Sequence, residues 1–391
     1  MSNDDIYLSW PWQEHCECTL LYDGGVFLPH LLDSIKNAER SIQIELYICE
    51  SGKLFDEWFD VLEKKAQSMP VRLLIDSFGS EDLNHHDRQR IEVSQIQVRF
   101  FNPPTIHGGL KNLIRDHRKL IIIDERKAYV GGMGILDSCD PRIVGDKAWL
   151  DAMVMMRGDV VQDWTRLFEQ SWQLAEATLG SSLIWRLRGK RIRHPIAANS
   201  TSMARVNASR GGRRNPLLFH LTHRIARAKS YIWLNTPYFF PPRRLVRALN
   251  KAARRGVRVE ICTAGAITDH PSFRFAGQHY YKSLLKEGVH IYEFQPRFAH
   301  VKTAIIDDWC TLGSCNYDRW NNHWNLDANV EVVDDLFREQ LLRLRQTIVS
   351  QSAMIDLQKW EQRPWQSTLR QNFWFWLGTR LMGLLRMLRR P

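Results

Sequence analysis

The chain repeats itself once, and that repeat limits its architecture more than any other feature. Residues 41–80 pattern as a strand over Ser41–Ile48, a helix over Leu54–Ala66, a strand over Val71–Asp76 and a loop at Gly79-Ser80. Residues 230–265 pattern the same way: a strand over Ser230–Asn235, a Pro-rich turn at 237–242, a helix over Arg243–Arg255, a strand over Val257–Thr263 and a loop at Gly265. A similar phrase precedes each first strand, at 37–42 and at 225–230, and both halves then reach His-x-Lys-x4-Asp, at 117–124 and 300–307. Alternating strands and helices predict an α/β fold in which helices cover a sheet. A duplicated unit predicts two like domains.

At 391 residues the chain has room for two to three domains of the usual ~150 residues. The expected division is an N-terminal domain 1–179, a linker 180–215, a C-terminal domain 216–355 and a tail 356–391. The formal charge of +11 is concentrated. Residues 186–214 carry nine Lys and Arg and no acid; residues 366–391 carry five Arg and no acid; the rest is slightly acidic. A basic balance suits nucleic acid or an anionic membrane. Its confinement to a linker and a tail favours an attachment device over a body-wide nucleic-acid surface.

The tail gathers Trp365, Phe373, Trp374, Phe375 and Trp376, then spaces Leu377, Leu381, Leu384, Leu385 and Leu388 as a helix would, with Arg380, Arg386, Arg389 and Arg390 interleaved. It is too short and too charged to span a bilayer. Trp, Arg and a leucine stripe predict an interfacial amphipathic helix, the alternative being a helix docked on the body. Seven cysteines at irregular spacings predict reduced thiols in a cytosolic setting. Neither a signal peptide nor a spanning helix is expected.

The chemistry sits in the repeated motif. His117 and Lys119 lie two apart at the start of an apolar run, Leu120–Ile123, and therefore share one strand face. His300 and Lys302 do the same ahead of Thr303–Ile306. One such pair carries no information; two copies, each with an Asp five residues after Lys (Asp124, Asp307) and small residues beyond (Gly131-Gly132, Gly313-Ser314), do. Two imidazoles and two ammoniums meeting at one place suit a phosphodiester. The ammoniums offset charge on the phosphate oxygens. One imidazole attacks phosphorus and the other handles the proton. His85-His86 and His220…His223 are weaker candidates, as metal ligands, and Tyr238 is a candidate for the edge of the site.

These residues resemble the two HKD motifs of the phospholipase D superfamily, and the chain is similar over about 20–350 to bacterial cardiolipin synthases of the short type without N-terminal transmembrane helices. Further phrases carry the resemblance: Tyr22-Asp23-Gly24-Gly25, Leu74–Ser80, Pro237–Pro241 and Leu326–Val330. It implies two phospholipase D-like α-β-α sandwich domains with one active site at their interface. His117, Lys119, Asp124, His300, Lys302 and Asp307 then stand as the catalytic motif residues, the aspartates being more often structural in the family. Ser314 and Asn316 stand as phosphate contacts, and Asp151 and Asp327 as the acids that orient the histidines. The first motif departs from the family by Gly134 in the place of Asn, and the second has one residue fewer between Asp307 and Gly313.

The expected activity is transfer of a phosphatidyl group between phospholipids through a phosphohistidine, for example two phosphatidylglycerols to cardiolipin and glycerol. Alternatives are phospholipase D hydrolysis and a nuclease or phosphodiesterase of the same superfamily. No cofactor or metal is expected, and no nucleic acid. The expected partners are phospholipid substrates and, through the tail, an anionic membrane at the cytoplasmic side of a bacterial cell. The sequence does not indicate an oligomeric state.

Overall fold

The computed structural model describes residues 10–176, 202–209 and 215–388. Two mixed sheets carry the fold. The first has seven strands in the order Glu17–Tyr22, Ala152–Arg157, Lys127–Gly131, Leu120–Ile123, Ile42–Leu46, Val71–Asp76, Gln97–Phe101. The second repeats that order position for position: Ser202–Ala208, Ala328–Asp334, Trp309–Gly313, Thr303–Ile306, Tyr231–Thr236, Arg258–Ala264, His290–Phe294. It adds one short strand at each edge, Gln13–Glu14 and Ser352–Met354.

The motif strands lie in mid-sheet. All four residues of Leu120–Ile123 and of Thr303–Ile306 are buried, as strands covered on both faces require. Helices cover them by apolar stripes of helical period. Lys53–Ala66 buries Leu54, Phe55, Trp58, Phe59 and Leu62, and Arg243–Arg254 buries Leu245, Val246, Leu249 and Ala252.

The halves share backbone pairing and a core. Asn325–Leu326 pairs in parallel with Arg115–Asp116. The His117 N–H donates to Leu326 O at 2.9 Å, the Leu150 N–H to Phe298 O at 2.9 Å, and the His300 N–H to Leu150 O at 2.8 Å. One apolar cluster runs through both sheets, joining Ile122, Val154 and Trp164 to Val206, Val330 and Leu341.

The stretch expected as linker, 180–215, is not all linker. Ser202–Ala208 is a strand of the second sheet and the counterpart of Glu17–Tyr22 in the first. Two of its polar side chains are drawn inward by one carboxylate: Arg205 Nε donates to Glu331 Oε2 at 2.7 Å, and Asn207 Nδ2 contacts Glu331 Oε1 at 2.5 Å. Of the nine cations of 186–214, only Arg205 is among the described residues.

The tail is the helix Trp365–Leu388. It lies against the helix Pro271–Gln278, with Gln371 and Met382 buried and Phe375 stacked on His279 at 3.7 Å between ring centroids. The opposite stripe, including Phe373, Trp376, Leu377, Leu381, Leu384 and Met387, is exposed. Leu377, Leu381 and Leu384 therefore point away from the body while Leu385 packs on it, so the helix is docked by one face. Among the described residues no helix is long and apolar enough to cross a membrane, and all seven cysteines are free.

Candidate active site

Each motif strand is entered from one pole of its sheet, and the His-x-Lys residues lie just ahead of it. The two poles face each other through the interdomain pairing. His117, Lys119, His300 and Lys302 are all buried, as are Asp151, Asp327, Ser314 and Asn316.

The histidine–carboxylate pairs are crossed between the halves. His117 Nδ1 lies 2.8 Å from Asp327 Oδ1, and His300 Nδ1 lies 2.7 Å from Asp151 Oδ2. Nδ1 is engaged in each ring, and among the described residues no protein group bonds Nε2. A carboxylate on Nδ1 fixes the tautomer and steadies the imidazolium. Asp151 is held in turn by the Ala152 N–H at 2.8 Å, and Asp327 by Ser314 Oγ at 2.9 Å.

The lysines are anchored by their own motifs. Lys119 Nζ donates to His117 O at 2.8 Å, and Lys302 Nζ to His300 O at 2.6 Å. Burial, reinforced by Lys302, lowers Lys119 to about 7, and burial lowers Lys302 to about 8. Burial and then Lys119 push His117 down to about 3, against the pull of Asp327. His300 is lowered by burial and Lys302. Burial alone would raise Asp151, but His300 and Lys302 outweigh it and keep the carboxyl below its ordinary value. The site thus holds a neutral His117 imidazole beside two lysines whose charge burial disfavours and the Asp151 and Asp327 carboxylates support.

Aromatic side chains wall the two imidazoles. Tyr47 packs on His117 at 4.9 Å, with Lys119 Nζ 5.2 Å from the Tyr47 ring centre. Trp149 and Phe298 pack on His300 at 5.1 and 5.5 Å. Tyr238 does reach the edge of this wall, packing on Phe298 at 6.2 Å while its hydroxyl bonds Asp269 Oδ2 at 2.5 Å. Tyr47, Trp149, Phe298 and Asp269 had no sequence signal of their own. Trp149 lies two residues before Asp151 and Phe298 two before His300, so proximity to a motif was the only available hint.

The small residues beyond each motif differ for steric reasons. A Cβ on Gly132, the counterpart of Ser314, would lie 2.4 Å from Asp151 Oδ1, so a side chain there would displace the carboxylate that contacts His300. Gly134, the counterpart of Asn316, backs onto Ile48, where a Cβ would lie 2.9 Å from the carbonyl oxygen. Among the described residues the buried Asn316 Oδ1 has no hydrogen-bond partner, and neither has Asp327 Oδ2. The missing residue of the second motif is absorbed in a hairpin: Ile123 pairs with Lys127 around a three-residue turn, and Ile306 with Trp309 around a two-residue turn. Ser314 and Asn316 keep their places.

Asp124 and Asp307 do not join the site. They sit at the far ends of the motif strands with φ of 55° and 51°. Asp124 accepts the backbone N–H groups of Glu39, Arg40 and Ser41, and Asp307 those of Lys229, Ser230 and Tyr231. They clasp the turn entering the next strand, which accounts for the repeated phrase before each. Among the described residues no group of His, Cys, Asp and Glu is arranged to hold a metal, so His85, His86, His220 and His223 form no such centre there.

Comparison with known proteins agrees with this architecture. Residues 221–348 match the family model described as cardiolipin synthase, PLD-like domain. Cardiolipin synthase B of Salmonella typhimurium is 31% identical over 364 residues, covering 90% of this chain and 86% of that protein. The minor cardiolipin synthase of Bacillus subtilis is 28% identical over 375 residues, covering 94% and 88%. Among solved structures, the phosphatidylserine synthase of Haemophilus influenzae superposes with a TM-score of 0.75 at 13% identity, covering 95% of this chain and 94% of that one. That last likeness concerns the fold. With a duplicated α/β unit, two His-x-Lys motifs at one interface and relatives matched over nearly their whole length, the chain belongs to the bacterial cardiolipin synthase family of phospholipase D-type phosphatidyltransferases.

Proposed function

We propose that this chain transfers a phosphatidyl group from one phospholipid to a hydroxyl of another, as in making cardiolipin and glycerol from two phosphatidylglycerols. The observation that carries this reading is the crossed pairing of His117 with Asp327 and His300 with Asp151 around Lys119 and Lys302. The phosphodiester lies between the two Nε2 atoms, its oxygens facing the ammoniums and the side-chain amide of Asn316. His117 Nε2 attacks phosphorus. The bond from phosphorus to the headgroup oxygen breaks as His300 gives that oxygen its proton. His300 then takes the proton of the incoming hydroxyl, whose oxygen displaces His117. Asp124 and Asp307 serve the fold, and the site residues are those that face the interface.

The tail helix brings the site to a bilayer as a peripheral contact, its outer Trp and Leu side chains entering the interface at the cytoplasmic side. The free thiols and the concentration of arginine in the tail support this placement.

Mass spectrometry of products from defined lipid pairs tests the reading. Cardiolipin formed from phosphatidylglycerol by the wild type, and lost in both His117→Ala and His300→Ala, is the expected result. Phosphatidic acid as the sole product would make the enzyme a hydrolase, and plasmid cleavage without lipid turnover would overturn the lipid reading. A phosphorylated peptide containing His117 identifies the nucleophile.

A further inference from the structure

The helix Pro216–Arg227 buries Leu217, Leu218, Leu221 and Ile225. On another face it carries His220, His223, Arg224 and Arg227, spaced i, i+3, i+4, i+7, so that four basic side chains form one stripe. The stripe borders a cavity of about 370 Å³, completed by Phe219 and by Arg205 of the strand Ser202–Ala208. All five ionisable lining residues are bases, and no acid lines the cavity.

One carboxylate lies beneath, and it engages two of the lining bases, Arg205 and His220, leaving Arg224 and Arg227 aside. Glu331 accepts from Arg205 and Asn207, takes the Trp309 indole N–H at 3.3 Å and lies 3.0 Å from His220 Nδ1. Arg224 rests on the Trp309 ring at 5.6 Å, half-buried. Glu331 and Asp308 attract it, but burial and the neighbouring Arg205 and Arg227 disfavour its charge. Among the described residues, no carboxylate lies within ion-pair distance of Arg224 or Arg227. The helix C-terminus favours cations in the last turn and so accounts in part for these two arginines. It does not account for His223 above them, or for an opening that gathers these arginines with no acid in its lining. Converging guanidiniums around a cavity are what planar recognition of phosphate oxygens requires. Phe219 and His223, stacked at 6.1 Å, add a flat wall for an organic portion.

The cavity is separate from the active site. Trp309 follows the hairpin turn after Ile306, whereas Lys302 and Ser314 lie at the other end of the same two strands.

We propose that this cavity is a second, non-catalytic binding site for a phosphate-bearing anion. The shared chemistry is a phosphate monoester or diester, supplied by a soluble metabolite or by an anionic lipid headgroup.

The test compares the wild type with Arg224→Gln/Arg227→Gln, two substitutions remote from the active site that leave basal phosphatidyl transfer intact and so report that the variant is folded. In the first arm, equilibrium dialysis with labelled inorganic phosphate counts sites. The wild type shows a saturable site that persists in Lys302→Ala and weakens by about tenfold or more in the double variant. In the second arm, sedimentation is measured with phosphatidylcholine vesicles, with and without about one-fifth phosphatidylglycerol. Loss in the first arm alone assigns a soluble phosphate ester, and loss of the phosphatidylglycerol-dependent fraction in the second assigns a lipid headgroup. If phosphate stoichiometry and vesicle binding are both unchanged in the double variant, the proposal is wrong.

Discussion

His117 and His300 each depend on a carboxylate from the other half of the chain, and this makes their chemistry separable by substitution. Asn in place of Asp327 keeps a hydrogen-bonding group beside His117 Nδ1 but removes the charge that steadies the ring as it becomes cationic. The expected effect of Asp327→Asn is a fall in kcat of about 10²–10⁴-fold with little change in KM. Combined with His117→Ala it adds little, because both changes disable one unit. Full additivity in steady-state kinetics would sever the link. The lysines predict the pH behaviour. Lys119 and Lys302 are cations below their folded values of about 7 and 8 and lose charge above them. Activity on a phosphodiester therefore declines as pH rises through 7 to 8 and beyond. Stability moves the other way. Between about 8 and the ordinary 10.5 the unfolded chain holds the Lys302 proton and the folded chain does not, so folding gains as pH rises. Lys302→Met should accordingly be more stable than wild type near neutral pH, on the order of 2–3 kcal/mol, with the gap closing by about pH 10.5. Denaturant melts at several pH values measure it; a gap independent of pH would mean that the buried ammonium is not its cause.

The tail helix has two faces in different surroundings, one docked and one exposed. Its inner face reaches loops of the second half, near Phe240 and Arg319. Arg319, three residues after Asn316, is flanked by Phe240 at 4.8 Å and Phe375 at 5.4 Å and donates to Thr379 Oγ1 at 3.1 Å. On its outer face Trp376, Leu381 and Leu384 are exposed, with the Arg380 guanidinium of the same helix 5.6 Å from the Trp376 ring centre. An apolar side chain of this size contributes roughly 1.5–3 kcal/mol when fully buried. Trp376→Ser with Leu381→Ser is thus expected to weaken sedimentation with anionic vesicles by well over about tenfold while leaving the melting temperature nearly unchanged. Phe375→Ala is expected to do the reverse, uncovering Arg319 and lowering stability. Equal effects of the two variants on vesicle binding would contradict the division of faces. The sequence showed the outer stripe because leucines at helical spacing are visible without a partner. It did not show the inner contacts, since Gln371, Phe375 and Thr379 acquire meaning only against Phe240 and Arg319. The strand Ser202–Ala208 was hidden for a related reason. Arg205 and Asn207 read as solvated linker residues until Glu331, more than a hundred positions later, is placed opposite them. The motif residues were legible because duplication marks them twice, and Asp124 and Asp307 were marked by the same duplication although their work lies at the far ends of the strands.

At the level of the molecule the two halves are bound by more than the chain that joins them. The strand Gln13–Glu14, at the start of the described chain, pairs with Ser202–Ala208 in the second sheet. The Leu20 N–H donates to Gln340 Oε1 at 2.7 Å, and one apolar cluster crosses both sheets. The site itself straddles the boundary, since neither half alone can place a carboxylate on its own histidine. Isolated halves therefore expose core and lack a complete dyad, and each is expected to be inactive and prone to aggregate. A single cut between residues 176 and 202 in the folded protein is a different case. It removes one covalent connection and leaves the shared core, the crossed strand and both dyads in place. A protease site introduced at about residue 190 and cleaved after folding is expected to leave the halves co-eluting in gel filtration, with phosphatidyl transfer within about twofold of the uncut enzyme. Refolding should suffer instead, because joining the halves becomes bimolecular and depends on protein concentration. Halves that separate on cleavage under native conditions would show that the covalent link, and not the shared core, holds the active site together.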